Sequence, residues 1–216
     1  MEWIVLLEYG IEVSDEQEPF SFRSFTFGEK MSGRCVAGRE VLDTGPGSWI
    51  RPVSSRLTEE VSEDERQYQD GSDPRVLEII DVPLVRHQPH ACQTENWLLD
   101  PDYYWSLVRQ IGWAELQHYV ENPATLWTNT RSTYNGSNDE ILQADADALP
   151  NSLVLIRVSA LELRVFAPGA AFSNPKRRVL ADFQYRDTRY ALWVTDPVIE
   201  RDYKAQADGT YTLGEC

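Results

Sequence analysis

Short runs with the character of β-strands crowd the two ends of this sequence, and that grouping limits the fold more than any other feature. "WIVLLEYGI" at 3–11 and "FSFRSFTF" at 20–27 open the chain, the second alternating aromatic and polar residues. A period of two is that of a strand with one buried face. "RCVAGREVL" and "SWIRPV" follow across a "DTGPGS" turn, and Pro52 marks a strand end or a sheet edge. "RVLEIIDVPLV" reads as a more deeply buried strand. Beyond residue 151, "SLVLIRVSALELRVF", "RRVLADFQYRDTRYALWVTDP" and "GTYTLG" supply three to five more, with "YRDTRY" as a hairpin turn.

The middle of the chain has a different pattern. "SEDE" at 62–65 places Ser62 three residues before Glu65, the spacing of a capping box, so a short helix is expected there. In "DPDYYWSLVRQIGWAELQHYVENP", Asp100 is placed to cap a helix, Pro101 suits its first position and Pro123 stops it. Tyr104, Leu107, Val108 and Ile111 then share one stripe and are expected in the core, with Gly112 opening a second short helix over 113–121. "TRSTYNGSNDEILQADADALPNS" is polar and turn-rich, a connector. The expected fold class is mainly β with a helical insert (α+β). The expected divisions are a first β-unit over 1–98 with an acidic N-terminal extension, an insert with its connector over 99–150, and a second β-unit over 151–216.

Charge separates the function classes. The net charge is −15, which opposes a simple polyanion-binding role because phosphate binding draws on a basic surface. The charge is uneven, however. Residues 58–73 carry seven acids against Arg66, whereas 23–56 hold six basic against three acidic side chains and 174–189 five against two. A basic groove on an acidic body is therefore compatible with the composition. No apolar run approaches about 18 residues, so no membrane span is expected. The first twenty residues lack a basic leader segment, which points to a cytoplasmic location.

Catalytic and metal signatures are sparse. GxSxG, the phosphate-binding P-loop, GxGxxG and HExxH are all absent from the sequence. "RHQPHAC" brings His87, His90 and Cys92 together at a spacing that matches no standard zinc site. Cys35, Cys92 and Cys216 are odd in number and widely spaced, which implies reduced thiols, with Cys35 packed as a small hydrophobe in a strand. The chain is expected to be non-enzymatic, with no metal and no cofactor.

The arginine-bearing strands carry the binding chemistry. In "SGRCVAGREV", Arg34 and Arg39 fall on opposite faces of a regular strand, a parity that a bulge at Gly38 would change. Trp49 and Arg51 share a face, and Arg56 lies beyond the strand. The alternative is internal pairing of these arginines with Glu40, Glu78 or Asp81.

"SGRCVAGREV", "SWIRPVS", "DPRVLEIIDVPL", "QTENWLLD" and "LWVTDP", in that order over roughly residues 24–200, resemble the dual OB-containing domain family. Ser32, Gly33, Arg34, Cys35 and Gly38, then Trp49, Arg51 and Pro52, then Gln93, Glu95 and Asn96 occupy the motif positions. The resemblance implies two small five-stranded oligonucleotide/oligosaccharide-binding barrels, a ligand-binding role and a setting in bacterial conflict or anti-phage systems. The acidic first twenty residues and the ending "GTYTLGEC" depart from the pattern, so the second barrel is expected to be open or completed by strand addition.

Barrels of this kind bind single strands by joining a basic groove to stacked aromatics. The expected ligand is single-stranded nucleic acid or a nucleotide. Its expected site is Ser32, Gly33, Arg34, Arg39, Arg51 and Arg56 with Trp49 as an indole wall, and Gln93 and Asn96 as amide contacts. The alternative function is an acidic adaptor or regulatory subunit, a DNA mimic included, that binds a protein partner such as a nuclease or NTPase encoded nearby.

Overall fold

The computed structural model describes residues 3–8, 20–21, 35–158 and 160–213. Among them the chain is mainly β, and its helices are short. Two compact units emerge, Phe27–Val120 with Pro150–Leu153, and Met1–Thr26 with Glu121–Leu149 and Val154–Cys216. We refer to them as the central unit and the composite unit.

In the central unit, β3 (Gly38–Leu42) and β4 (Gly45–Val53) form a hairpin across Asp43–Thr44. Gly45 closes that turn at φ +124°, a backbone conformation open to glycine. β4 then pairs in parallel with β7 (Asn96–Leu99), and β7 pairs antiparallel with β6 (Leu84–His87), giving the order β3-β4-β7-β6. Pro52 is the penultimate residue of β4, at the strand end expected of a residue without a backbone N–H. Gly38 stays in register with Ile50, and the register slips between Arg39 and Val41, where Gly47 and Ser48 of β4 stand against Glu40.

The predicted capping box is present. Ser62 Oγ accepts from Glu65 N, and the Glu65 carboxylate accepts from Ser62 N at 2.8 Å, opening α1 (Glu63–Arg66). The expected single strand over 75–85 is two strands, β5 (Glu78–Asp81) and β6, separated at Val82–Pro83, and neither is deeply buried.

The expected long helix after Asp100 is not there. Asp100 Oδ1 accepts from Asp102 N at 3.1 Å, an Asx turn in place of a helix cap. Ser106–Gln110 is then a strand, β8, paired antiparallel with β5. Tyr104, Leu107 and Val108 are exposed, and Trp105 is the residue that enters the core, at 1% exposure. A non-local ladder has overridden a helical spacing. The second short helix does form, as α2 (Trp113–Leu116) running into a 3-10 turn at Gln117–Tyr119. Trp105 packs with Val61, Tyr68 and Leu99 to form the core here, flanked by Val36, Ile80 and Val82. Burying a side chain of Val or Leu size stabilises by about 1.5–3 kcal/mol, so this cluster is what fixes the otherwise loop-rich segment.

In the composite unit, β1 (Trp3–Glu8) pairs with β10 (Leu153–Val158), and β2 (Phe20–Ser21) with β9 (Glu140–Ile141), where α3 (Gln143–Ala146) follows. β11 (Leu161–Phe166), β12 (Arg178–Tyr185), β13 (Thr188–Trp193) and β14 (Gly209–Thr212) form a sheet in the order β13-β12-β11-β14. The predicted turn falls at Arg186–Asp187. Leu163, Val165, Val179 and Phe183 point to the core from one face. α4 (Pro197–Lys204), capped by Asp196 Oδ1 on Val198 N and Ile199 N, lies against β12. None of the described sheets closes on itself, so the expected five-stranded barrels are seen as open ladders.

Candidate functional site

Ser32, Gly33 and Arg34 lie outside the described residues. The other residues expected to hold a ligand fall in the central unit, and most are used by the fold. Arg51 is 3% exposed. Its Nη2 sits 3.1 Å from Glu95 Oε1 and donates to Ser152 Oγ at 2.7 Å, while its backbone N donates to Glu95 O. Asn96 is fully buried in β7, and its amide donates to Gln93 Oε1 at 3.1 Å. Arg56, at the surface, pairs with Glu65 at 3.1 Å and donates to Ser54 Oγ. Trp49 is buried, with the Arg39 guanidinium 5.2 Å from its ring and Arg39 Nε donating to Gly47 O.

For Trp49, Arg51 and Asn96 the expected place in a cationic cleft with an indole wall is therefore corrected. Arg51 and Asn96 are sealed inside, Arg51 with the carboxylate that a buried guanidinium needs, and Arg56 pairs with Glu65 at the surface. Arg51 and Arg56 pair internally, with Glu95 and Glu65 respectively. Cys35 is likewise corrected: it is exposed and precedes β3 instead of packing within it. In "RHQPHAC", His87 Nε2 meets Thr94 O at 2.5 Å, His90 Nδ1 lies 3.4 Å from Glu59 Oε2, and Cys92 is buried. No three His, Cys, Asp or Glu side chains among the described residues are grouped to hold a metal.

A concavity of the central unit is lined by other residues. It has a volume of 530 Å³ and is bounded by the 68–78 segment on one side and by Trp105, Ser106 and Leu107 on the other. Three carboxylates, those of Asp70, Asp73 and Glu78, line it against one guanidinium, that of Arg75. Each carboxylate is positioned locally. Asp70 Oδ1 accepts from Ser72 Oγ and N, which holds its pKa below the usual carboxylate range. Asp73 Oδ2 accepts from Arg66 Nη2 at 3.0 Å, and Glu78 Oε2 from Tyr68 OH at 2.7 Å and Arg75 N at 2.8 Å. Burial, with the Glu78 bond second, pushes the Tyr68 phenol well above its ordinary pKa, so this hydroxyl stays a donor.

β8 borders this concavity through Ser106 and Leu107. All five of its residues are exposed, and Leu107 and Val108 present apolar side chains at 51% and 54%. Its only ladder among the described residues is with β5; Tyr68 bridges Trp105 just before it, and no described strand pairs the second edge of Ser106–Gln110. Tyr103, Tyr104 and Trp113 flank it, all exposed. The sequence concealed this surface because the same apolar residues also fit a helical stripe.

No described helix is long and apolar enough to cross a membrane. Comparison with curated proteins and with solved structures gives no match. The family model of the dual OB-containing domain matches residues 25–216, nearly the whole chain and further toward its end than the resemblance drawn from motifs. The chain belongs to the dual OB-containing domain family.

Proposed function

We propose that the protein is a non-enzymatic binding module acting as an adaptor, whose central unit takes an extended, basic segment of a partner protein. The observation that carries this reading is the edge of β8 that no described strand pairs, beside a concavity with three carboxylates and one arginine. An unpaired strand edge offers alternating N–H and C=O groups to a further strand. Exposed Leu107 and Val108 add apolar contact, and the carboxylates favour Lys or Arg side chains in the incoming segment. The net charge of −15 steers the same kind of partner. Single-stranded nucleic acid, the ligand first expected, loses support because Arg51 and Arg56 are spent on Glu95 and Glu65. The association of dual OB-containing modules with bacterial conflict systems supports placing the partner there, as a nuclease or NTPase encoded nearby.

Fluorescence anisotropy with labelled extended peptides of alternating Lys and Val, set beside short DNA and RNA strands at low salt, tests the proposal. The peptide is expected to bind and to weaken as salt rises. Binding of the nucleic acids with none of the peptide overturns it.

A further inference from the structure

In the composite unit, the face of the β13-β12-β11 sheet opposite Leu163 and Val179 carries an arginine unlike the others described. Arg178 opens β12 directly opposite Phe166 of β11. Its guanidinium carbon lies 4.1 Å from the centre of the Trp193 ring. Phe166 and Trp193 are themselves 5.8 Å apart at 31°, and Arg164 sits 5.4 Å over Phe166. Two neighbouring aromatic rings are thus flanked by a cation at each end, across three strands.

The neighbouring arginines show what this side chain lacks. Arg189 closes the Asp182 carboxylate with Nε and Nη2. Arg177 gives Nε to Asp208 at 2.7 Å and its other nitrogens to Lys204 O and Gln206 O. Nε and Nη2 of Arg178 are the same fork, both shielded from solvent, and neither meets an acceptor among the described residues. No described carboxylate lies within 4 Å. Glu200 on α4 supports its charge from farther off while bonding Lys204 Nζ at 2.5 Å. Burial bears on this guanidinium strongly enough to lower its pKa. A buried donor without an acceptor is destabilising, more so when charged. The Trp193 stack offsets part of that cost.

We propose that Arg178, held on Trp193, is the binding residue of a second site whose ligand is an oxyanion, a phosphate or carboxylate group taken bidentately by Nε–H and Nη2–H. The planar fork fits two oxygens of one such group and is at its strongest where water is excluded. Arg164 and the exposed Lys176, two residues upstream of Arg178, add positive potential, and Glu200 opposes it. The site is independent of the adaptor reading, since it uses a different unit and a ligand of opposite charge.

The test is NMR of the full-length, nitrogen-15-labelled chain at low ionic strength, following arginine Nε–H signals. Titrants are inorganic phosphate, adenosine monophosphate and acetate, with sodium chloride matched for ionic strength. One Nε–H signal, absent from Arg178→Lys, is expected to shift saturably with an oxyanion and not with chloride. Acetate alone acting assigns a carboxylate ligand, and phosphate or the nucleotide acting assigns a phosphoryl one. Glu200→Gln is expected to tighten binding by removing a repelling carboxylate. The proposal is overturned if no oxyanion moves that signal beyond the chloride control. It is equally overturned if Glu200→Gln weakens binding and destabilises the fold as much as Arg178→Lys does, for then Glu200 is the partner of the fork.

Discussion

Arg51 and Glu95 form an ion pair in which both side chains are almost wholly buried, 3% and 1% exposed, with 3.1 Å between Nη2 and Oε1. Ser152 completes it, accepting from Arg51 at 2.7 Å and donating its backbone N to Glu95 Oε2 at 3.1 Å. The pair ties β4 to the start of β7, and Ser152 brings Pro150–Leu153 into the central unit from a distant part of the chain.

Removing one partner strands a charge where water cannot reach it. Glu95→Gln and Arg51→Ala are each expected to lower unfolding free energy by about 3–5 kcal/mol, whereas Arg51→Met combined with Glu95→Leu comes out near neutral. Urea denaturation of the three variants measures this. Equal losses in the double and single variants would show that the pair does not act as a buried charge unit.

Acid sensitivity is expected from Glu65. Desolvation alone would raise its carboxyl pKa, but hydrogen bonds from Ser54 and Ser62 and the charge of Arg56 outweigh it and leave the pKa below the ordinary 4.5. A carboxylate with a folded-state pKa below its unfolded value contributes stability in full above the unfolded pKa. That contribution disappears as pH falls from about 4.5 through the lower, folded-state value. Thermal unfolding between pH 7 and pH 3 is expected to show a decline that Glu65→Gln reduces. An identical slope in the variant removes Glu65 from the account.

The Ser62 capping box, the β3–β4 turn and the Arg186–Asp187 hairpin were all legible, because each is a contact between residues close in the chain. The sheet strands β10 to β13 were legible from their apolar spacing. What escaped was set by distance. Arg51 meets Glu95 and Ser152, 44 and 101 residues away, and nothing local marks either as its acceptor. In the same way β5 claims Ser106–Gln110 from across a gap of more than twenty residues, against a local spacing that favoured helix. The 174–189 basic surplus was visible, but its partition was not: Arg177 and Arg189 are paired, and Arg178 rests on Trp193.

Strand addition at β8 makes a prediction by added charge. Leu107→Lys places a cation on the rim of the acidic concavity and on the open edge together, both of which repel a basic segment. Peptide affinity is expected to fall at least about tenfold, a change of about 1.4 kcal/mol. Asp70→Asn, at an exposed position, is expected to weaken binding less and to flatten its salt dependence. Unchanged anisotropy titrations for both variants would exclude this surface.

The composite unit protects its own edge strand through a loop that one methyl group should upset. Asp139, 1% exposed, accepts from Thr133 N at 2.7 Å and from its hydroxyl, and the Thr133 hydroxyl oxygen accepts from Gly136 N at 3.0 Å. This knot sets Ser137 against Ala191 through paired backbone bonds of 3.2 and 3.0 Å, and Asn138 Nδ2 against Arg189 O, so the outer edge of β13 is covered. A Cβ at Gly136 would lie 1.8 Å from Asp139 Oδ2, and the buried carboxylate has little space into which to retreat. Gly136→Ala is therefore expected to cost about 1–3 kcal/mol, the range for overpacking a filled site. Loosening the loop also bares the β13 edge, so the variant should self-associate as its concentration rises, which sedimentation velocity detects. Wild-type stability and a monomeric variant would mean that the Asp139 knot neither fixes the loop nor guards the strand.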